Sequence, residues 1–133
     1  MKRPRYLLDT CICVFLMRDK FNIRSRIGNV GLKNCCISEI TVAELLYGAI
    51  LSKDENNIKL TKDFCDNIEI IPIFDSLMEF ARQKVKLRKE GMPIDDFDLL
   101  IACGAIVNDL IVVTDNTKHF ERLPVKLQNW VKR

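Results

Sequence analysis

The chain consists of short apolar blocks, each followed by a longer stretch in which apolar residues recur at helical spacing. Short apolar runs predict strands at 6–8, 35–37, 68–74 and 110–113, with a candidate edge strand at 125–130. Longer stretches predict helices at about 11–17, 39–51, 53–67, 76–91 and 96–107. Ser76 and Glu79 match a capping box at the start of the fourth helix, and Gly91 followed by Pro93 predicts its end.

The alternation of strands and helices predicts an α/β fold. We expect a three-layer sandwich, with a central, mostly parallel sheet of four or five strands flanked by helices. The chain has 133 residues with no internal repeat and no linker, so we expect a single domain over 1–133. No apolar run is long enough to predict a transmembrane helix.

Composition narrows the chemistry only slightly. The net charge of +3 permits nucleic-acid binding but does not argue for it. The six cysteines contain no C-x-x-C pair and there is one histidine, so a zinc site is not predicted. Most of the cysteines lie among aliphatic residues and are expected to be free, small, buried side chains. A reducing compartment, the cytoplasm, fits this pattern best.

Three acidic residues stand in unusually apolar company. Asp9 follows the first predicted strand, Glu44 lies inside an apolar helix, and Asp98 precedes a long apolar run that predicts burial. Tyr47 and Leu51 share the face of Glu44, so its carboxylate is expected to have apolar neighbours. An unpaired buried carboxylate is costly, and Lys and Arg are scarce nearby, so a divalent cation is the expected partner.

The predicted fold brings these acids together. In open parallel sheets a ligand crevice lies beyond the carboxyl ends of the strands, where the strand order reverses. If the first and fourth strands are neighbours there, Asp9 and the pair Asp115–Asn116 face one crevice. Glu44 and Asp98 then approach it from adjacent helices. Oxygen ligands alone favour Mg²⁺ or Mn²⁺ over Zn²⁺.

Each acid also has a purely structural interpretation. Thr41 and Glu44 match a capping box, Asp95 or Asp96 could cap the last long helix with Asp98 in its first turn, and Asp9 could cap the first helix. The joint placement of all three acids in apolar segments favours the metal-site interpretation.

Other catalytic classes have little support. His119, the sole histidine, is expected in a surface loop, and no nucleophilic serine motif or glycine-rich phosphate loop is present. The basic stretch 82–89 could contact phosphates, but it is more typical of a solvated helix face.

Four blocks together resemble the VapC-type PIN domains. They are Leu7-Leu8-Asp9-Thr10, the run 37–48 ending in Ala43-Glu44-Leu45-Leu46-Tyr47-Gly48, Ile94-x-x-x-Asp98-x-x-Ile101-Ala102, and Val112-Val113-Thr114-Asp115-Asn116-x-x-x-Phe120. The resemblance extends over essentially the whole chain.

The resemblance implies a PIN-like fold and a metal-dependent endoribonuclease that acts as the toxin of a toxin–antitoxin pair. Asp9, Glu44 and Asp98 fall on the family's acidic ligand positions, with Mg²⁺ or Mn²⁺ as the implied cofactor. Asn116 occupies the fourth acidic position, with Asp115 beside it, so the fourth ligand is left open. The implied partners are a VapB-type antitoxin, an RNA substrate (transfer RNA favoured) and a second copy of the chain. Ile12, Phe15 and Leu16 are interface candidates, although core packing is the more common role.

Two other functions are kept open. One is a phosphatase-like domain with Asp9 as nucleophile, but that pattern requires Asp-x-Asp and this chain has Asp9-Thr10-Cys11. The other is a catalytically silent PIN scaffold that only binds RNA or protein.

Overall fold

A computed structural model describes residues 3–133 of the chain, so Met1 and Lys2 of the predicted 1–133 domain lie outside the described residues. The strands are β1 (Tyr6–Leu8), β2 (Cys35–Ser38), β3 (Glu69–Ile71), β4 (Ile111–Val113) and β5 (Lys126–Gln128). The helices are α1 (Thr10–Met17), α2 (Ile23–Val30), α3 (Glu39–Ser52), α4 (Glu55–Asp66), α5 (Leu77–Lys89), α6 (Asp96–Asn108) and α7 (Thr117–Phe120).

All five strands are parallel and form one sheet in the order β3-β2-β1-β4-β5. The chain first builds outward from β1 to β3, then returns to place β4 on the other side of β1. The strand order therefore reverses between β1 and β4, as predicted. In the register, Leu7 of β1 lies between Cys36 of β2 and Val112 of β4.

Alternating side chains of the central strands enter two separate hydrophobic layers, which accounts for their continuous apolar sequence. Tyr6 and Leu8 pack with residues of α1 to α4 on one face of the sheet. Leu7 and Val112 pack with residues of α6 on the other. The predicted three-layer α/β architecture is confirmed.

Helix capping differs from the prediction in two places. Ser38 caps α3 by accepting a hydrogen bond from the Ile40 N–H at 3.0 Å, so the assignment of Thr41 and Glu44 to a capping box is wrong. The capping box at Ser76 is also wrong, because its hydroxyl donates to the Ile73 carbonyl over 2.7 Å. The predicted end of α5 is correct, since Gly91 has a φ of +70°, which favours glycine.

Two helices were not predicted. The α2 helix is short and begins after Asn22, which has a left-handed backbone and no side-chain cap. The α7 helix has four residues and was assigned to a loop. Within residues 3–133 no helix is long and apolar enough to cross a membrane. The six cysteines are free, and all except Cys11 are buried, as expected.

Candidate active site

Asp9 lies at the reversal point of the sheet, directly after β1. Its backbone N–H donates to the Val113 carbonyl over 2.9 Å, which continues the β1–β4 ladder by one residue. The side chain then caps α1, because its Oδ1 accepts the Thr10 N–H at 2.8 Å. Asp9 is only 6% exposed. Asp9 therefore does cap α1, as its structural interpretation proposed. It is also buried, as its apolar sequence surroundings predicted.

Thr114 connects the end of β4 to the carboxylate of Asp9. Its hydroxyl donates to Asp9 Oδ2 over 2.8 Å and accepts the Asn116 N–H at 3.0 Å. Thr114 is fully buried. In the sequence, Thr114 was notable only as a member of the fourth block. Its position directly after an apolar strand was the available signal for a role in orienting Asp9.

Glu44 is joined to the same region through Thr10. The Thr10 hydroxyl donates to Glu44 Oε1 over 2.7 Å and lies 3.0 Å from the Thr41 hydroxyl. Tyr47 and Leu51, which were expected on the same helix face, are 70% and 64% exposed, but Glu44 does line a cleft with apolar residues that include Val14 and Met17. Glu44 is half-buried at the rim of the crevice, with threonine hydroxyls as its nearest polar neighbours.

Asp98 lies in the first turn of α6, which Asp95 caps by accepting the Phe97 N–H. It is half-buried rather than buried, with 27% of its side chain exposed. His119 Nδ1 lies 3.5 Å from Asp98 Oδ2. His119 is on the surface as predicted, but it is on α7 and next to a candidate site residue. Sequence spacing could not show this contact, because it joins two helices separated by β4.

Burial and mutual repulsion both raise the pKa values of Glu44 and Asp98. The pKa of Glu44 is raised mainly by desolvation and further by Asp9, Asp98 and Asp95, while the hydrogen bond from Thr10 opposes the rise. The pKa of Asp98 is raised mainly by desolvation and next by Asp9, while His119 opposes it. The acids therefore share one negative field, and a cation placed in it would be stabilised.

Two clefts flank this acidic region, and both contain basic residues. A cleft of about 300 Å³ beside Glu44 is lined in part by Arg18 and Arg24. A cleft of about 190 Å³ beside Asp98 is lined in part by Lys118 and Arg122. Lys and Arg are scarce next to the acids in the sequence. The expectation that they are also scarce around the acids in space is wrong.

The two candidates for the fourth position have different surroundings. Asp115 is engaged by Arg133 through two contacts of 2.6 and 3.0 Å and by the Asn129 amide at 3.2 Å. The hydrogen bond from Arg133 is the main cause of the lowered pKa of Asp115. The Asn116 side chain is exposed and makes no capping bond to α7.

Among residues 3–133, no three His, Cys, Asp or Glu side chains lie close enough together to form a complete metal cage. Asp9, Glu44 and Asp98 offer only carboxylate oxygens, which is the ligand type that Mg²⁺ and Mn²⁺ prefer. Mg²⁺ usually keeps several waters and needs only one or two carboxylates. Cys11 does not offer a competing thiolate, because burial raises the pKa of its thiol.

The fold and the site together define an α/β domain with an acidic, oxygen-only crevice at the reversal point of a parallel sheet. The PIN domain family model matches residues 6–126. The chain is 32% identical over 130 residues to the tRNA(fMet)-specific endonuclease VapC of Salmonella typhimurium, which covers 95% of this chain and 98% of that protein. It is 36% identical over 131 residues to ribonuclease VapC2 of Haemophilus influenzae, covering 96% and 98%.

A solved structure shows the same fold. VapBC2 from Rickettsia felis, bound to a DNA fragment from its promoter, superposes with a TM-score of 0.86 at 34% identity, over 94% of this chain and 98% of that one. The chain belongs to the PIN-domain family and, within it, to the VapC ribonucleases of toxin–antitoxin systems.

Proposed function

We propose that this chain hydrolyses RNA phosphodiester bonds at Asp9, Glu44 and Asp98 in a reaction that requires Mg²⁺ or Mn²⁺. The main support for this proposal is that Asp9 is buried without a cationic partner. Its carboxylate is 6% exposed, and among residues 3–133 it has hydrogen-bond donors but no cationic side chain in contact. A buried carboxylate in this state is stabilised by a bound cation, and the half-buried acids Glu44 and Asp98 share its field.

In this proposal each side chain has a distinct task. Asp9 and Asp98 hold the cation, directly or through water, and Glu44 orients a water with its carboxylate positioned by Thr10. When bound, the cation supplies Lewis acidity toward the phosphate and lowers the pKa of a water. In-line attack of this water on phosphorus breaks the bond to the 3′ oxygen. The products then have 5′-phosphate and 3′-hydroxyl ends.

For the fourth acidic position of the family, we propose that Asn116 rather than Asp115 contributes to the site. Both carboxylate oxygens of Asp115 accept hydrogen bonds from Arg133, so ligation by Asp115 would require breaking that pair. Asn116 has an exposed amide whose oxygen is available to a water or an ion.

We propose transfer RNA as the substrate class, which is supported by the tRNA(fMet)-specific relatives in Salmonella typhimurium and Shigella flexneri. We also propose a VapB-type antitoxin as the partner, supported by structural neighbours that are VapBC complexes. An antitoxin arginine in the acidic crevice would replace the charge of the cation. We also propose that the chain forms a homodimer and acts in the cytoplasm.

The test is cleavage of transfer, ribosomal and messenger RNA by the purified chain with Mg²⁺, with Mn²⁺ and with EDTA. We expect cleavage of transfer RNA only with a divalent ion, and its loss in Asp9→Asn and Asp98→Asn. Asp63→Asn is the matched control, because Asp63 is an exposed α4 residue outside the crevice. Full activity of Asp9→Asn, or of the wild type in EDTA, contradicts the metal assignment.

The cleavage assay distinguishes the ribonuclease from a silent scaffold, and acid-labile phosphorylation of the protein tests for a phosphatase-like enzyme. A silent scaffold binds RNA and yields no product with any ion. A phosphatase-like enzyme forms an acid-labile phosphoaspartate at Asp9, but the residue two positions later is Cys11, whose raised pKa keeps its thiol protonated and unlike a carboxylate.

A further inference from the structure

The cleft beside Asp98 has walls of opposite charge. One wall carries Asp95 and Asp98 at the start of α6, and the other carries Lys118 and Arg122 at α7 and the turn that follows it. Together with Pro93, Ile94 and His119 these residues enclose about 190 Å³. We define this space as the α6–α7 cleft.

The basic wall is held by a rigid anchor. Phe120 lies between Lys118 and Arg122 in the sequence, is fully buried, and packs with Leu99 and Leu123 in a hydrophobic cluster. The Leu123 N–H also donates to the Phe120 carbonyl over 3.0 Å. The backbone that carries both cations is therefore fixed relative to α6, although their side chains are exposed.

Neither Lys118 nor Arg122 makes an ion pair with any residue in 3–133, whereas two other basic side chains near acids do. Lys84 pairs with Asp96 at 2.9 Å, and Arg133 pairs with Asp115 at 2.6 Å. Two cations that border an acidic cleft and remain unpaired are available to a ligand with negative charge.

The other cleft is less suited to an anion. Its walls include Val14, Met17 and Leu60, and one of its two arginines, Arg24, lies 3.7 Å from Asp19. The α6–α7 cleft is bordered by two unpaired cations and lies directly beside Asp98.

We propose that Lys118 and Arg122 form a subsite for an RNA phosphate adjacent to the one that is cleaved. This inference rests on the proposed ribonuclease function. RNA carries a charge at every phosphate, and the acids that hold the cation repel the strand. A phosphate bound by Lys118 and Arg122 offsets that repulsion and fixes the strand next to Asp98.

The experiment measures binding of a single-stranded RNA oligonucleotide over a range of salt concentrations, in the Asp9→Asn background that keeps the RNA intact. Lys118→Gln/Arg122→Gln is expected to reduce the slope of log affinity against log salt by about 1.4, since each contact to single-stranded RNA contributes about 0.7. Lys59→Gln/Lys62→Gln is the matched control, with the same charge change on exposed α4 positions.

In the active chain, Lys118→Gln/Arg122→Gln is expected to raise KM with little change in kcat, because the subsite binds substrate and transition state alike. Lys118→Arg/Arg122→Lys keeps both charges and is expected to retain the wild-type slope. Equal slopes for the α7 and α4 double variants, or no RNA binding by the chain, overturn the subsite. If RNA remains uncleaved but the slopes differ as expected, the proposed function fails and the subsite stands.

Discussion

At the scale of single residues, three threonine hydroxyls hold the acids of the candidate site, and two of them, Thr41 and Thr114, are fully buried. Thr114 donates to Asp9, and Thr41 lies against Thr10, which donates to Glu44. A hydrogen bond to an ionised carboxylate is stronger than one between neutral groups and fixes the direction in which the carboxylate faces. The orientation of these two carboxylates therefore depends on side chains that have no charge of their own.

Thr114→Val removes the hydroxyl from Asp9 with almost no change of shape. We expect a loss of about 1–3 kcal/mol in the free energy of unfolding, because a buried carboxylate loses a hydrogen-bond donor. Affinity for Mg²⁺ is also expected to fall, since Asp9 is no longer held in one orientation. Urea denaturation and calorimetric titration with Mg²⁺ measure the two effects.

Thr61→Val is the control for that change. The Thr61 hydroxyl is buried and donates to the Asn57 carbonyl within α4, so its loss removes a bond between neutral groups. Mg²⁺ affinity is expected to stay at the wild-type value in this variant. If both variants bind Mg²⁺ like the wild type, Thr114 has no role in orienting Asp9.

At the scale of elements, the acids are placed by the starts of helices. Asp9 caps α1, Asp98 occupies the first turn of α6, and Glu44 is one turn further into α3. The positive end of the helix dipole favours negative charge at Asp9 and Asp98, which lie at the cap and in the first turn of their helices. The cap that fixes the start of α3 therefore also fixes the reach of Glu44 into the crevice.

Ser38→Ala removes the side-chain cap of α3. The expected loss is about 1 kcal/mol in the free energy of unfolding, because the Ile40 N–H loses its acceptor. Ser25→Ala, at an exposed α2 position, is expected to be neutral or slightly stabilising because alanine favours helix. Thermal and urea unfolding of both variants test this, and equal stability of the two would falsify the capping role.

At the scale of the whole molecule, function and stability oppose each other. Burial and repulsion raise the pKa of Glu44 and Asp98, so ionisation of these groups at neutral pH destabilises the folded chain. The divalent cation of the proposed function would reverse this effect. The folded state is thus expected to be more stable with the ion than without it.

Asp98→Asn is expected to raise the thermal unfolding temperature in EDTA, because it removes one of the repelling charges. Mg²⁺ at a hundredfold excess over its Kd should stabilise the wild type by about 2.7 kcal/mol and the variant much less. Thermal unfolding with EDTA and with Mg²⁺ measures both effects, and Asp63→Asn should behave like the wild type. A lower unfolding temperature of Asp98→Asn in EDTA contradicts this account.

The sequence was sufficient for features that depend on local pattern. Apolar runs located four strands and the tail gave a candidate fifth, and the sheet order confirms the hypothesis that β1 and β4 are neighbours. Helix α2 was missed because it is short and lacks a side-chain cap at Asn22. The weak local signal there is compensated by tertiary packing of Ile23 and Ile27 in the core.

Features that depend on distant residues could not be predicted. The contact of His119 with Asp98 and the engagement of Asp115 by Arg133 join residues whose own sequence surroundings give no sign of each other. The hydrogen bond from Thr114 to Asp9 spans 105 positions. The sequence indicated these acids as candidates, but the residues that contact them are determined by the fold.

The neighbouring position of β1 and β4 also has a consequence for synthesis of the chain. The ribosome releases the segment with Asp9 long before the segment with Val113 and Thr114, and both of these hold Asp9 in place. A nascent polypeptide that has not yet reached β4 therefore carries Asp9 without two of the contacts that fix its position. The contacts that hold Asp9 in place can form only after β4 has been synthesised and has paired with β1.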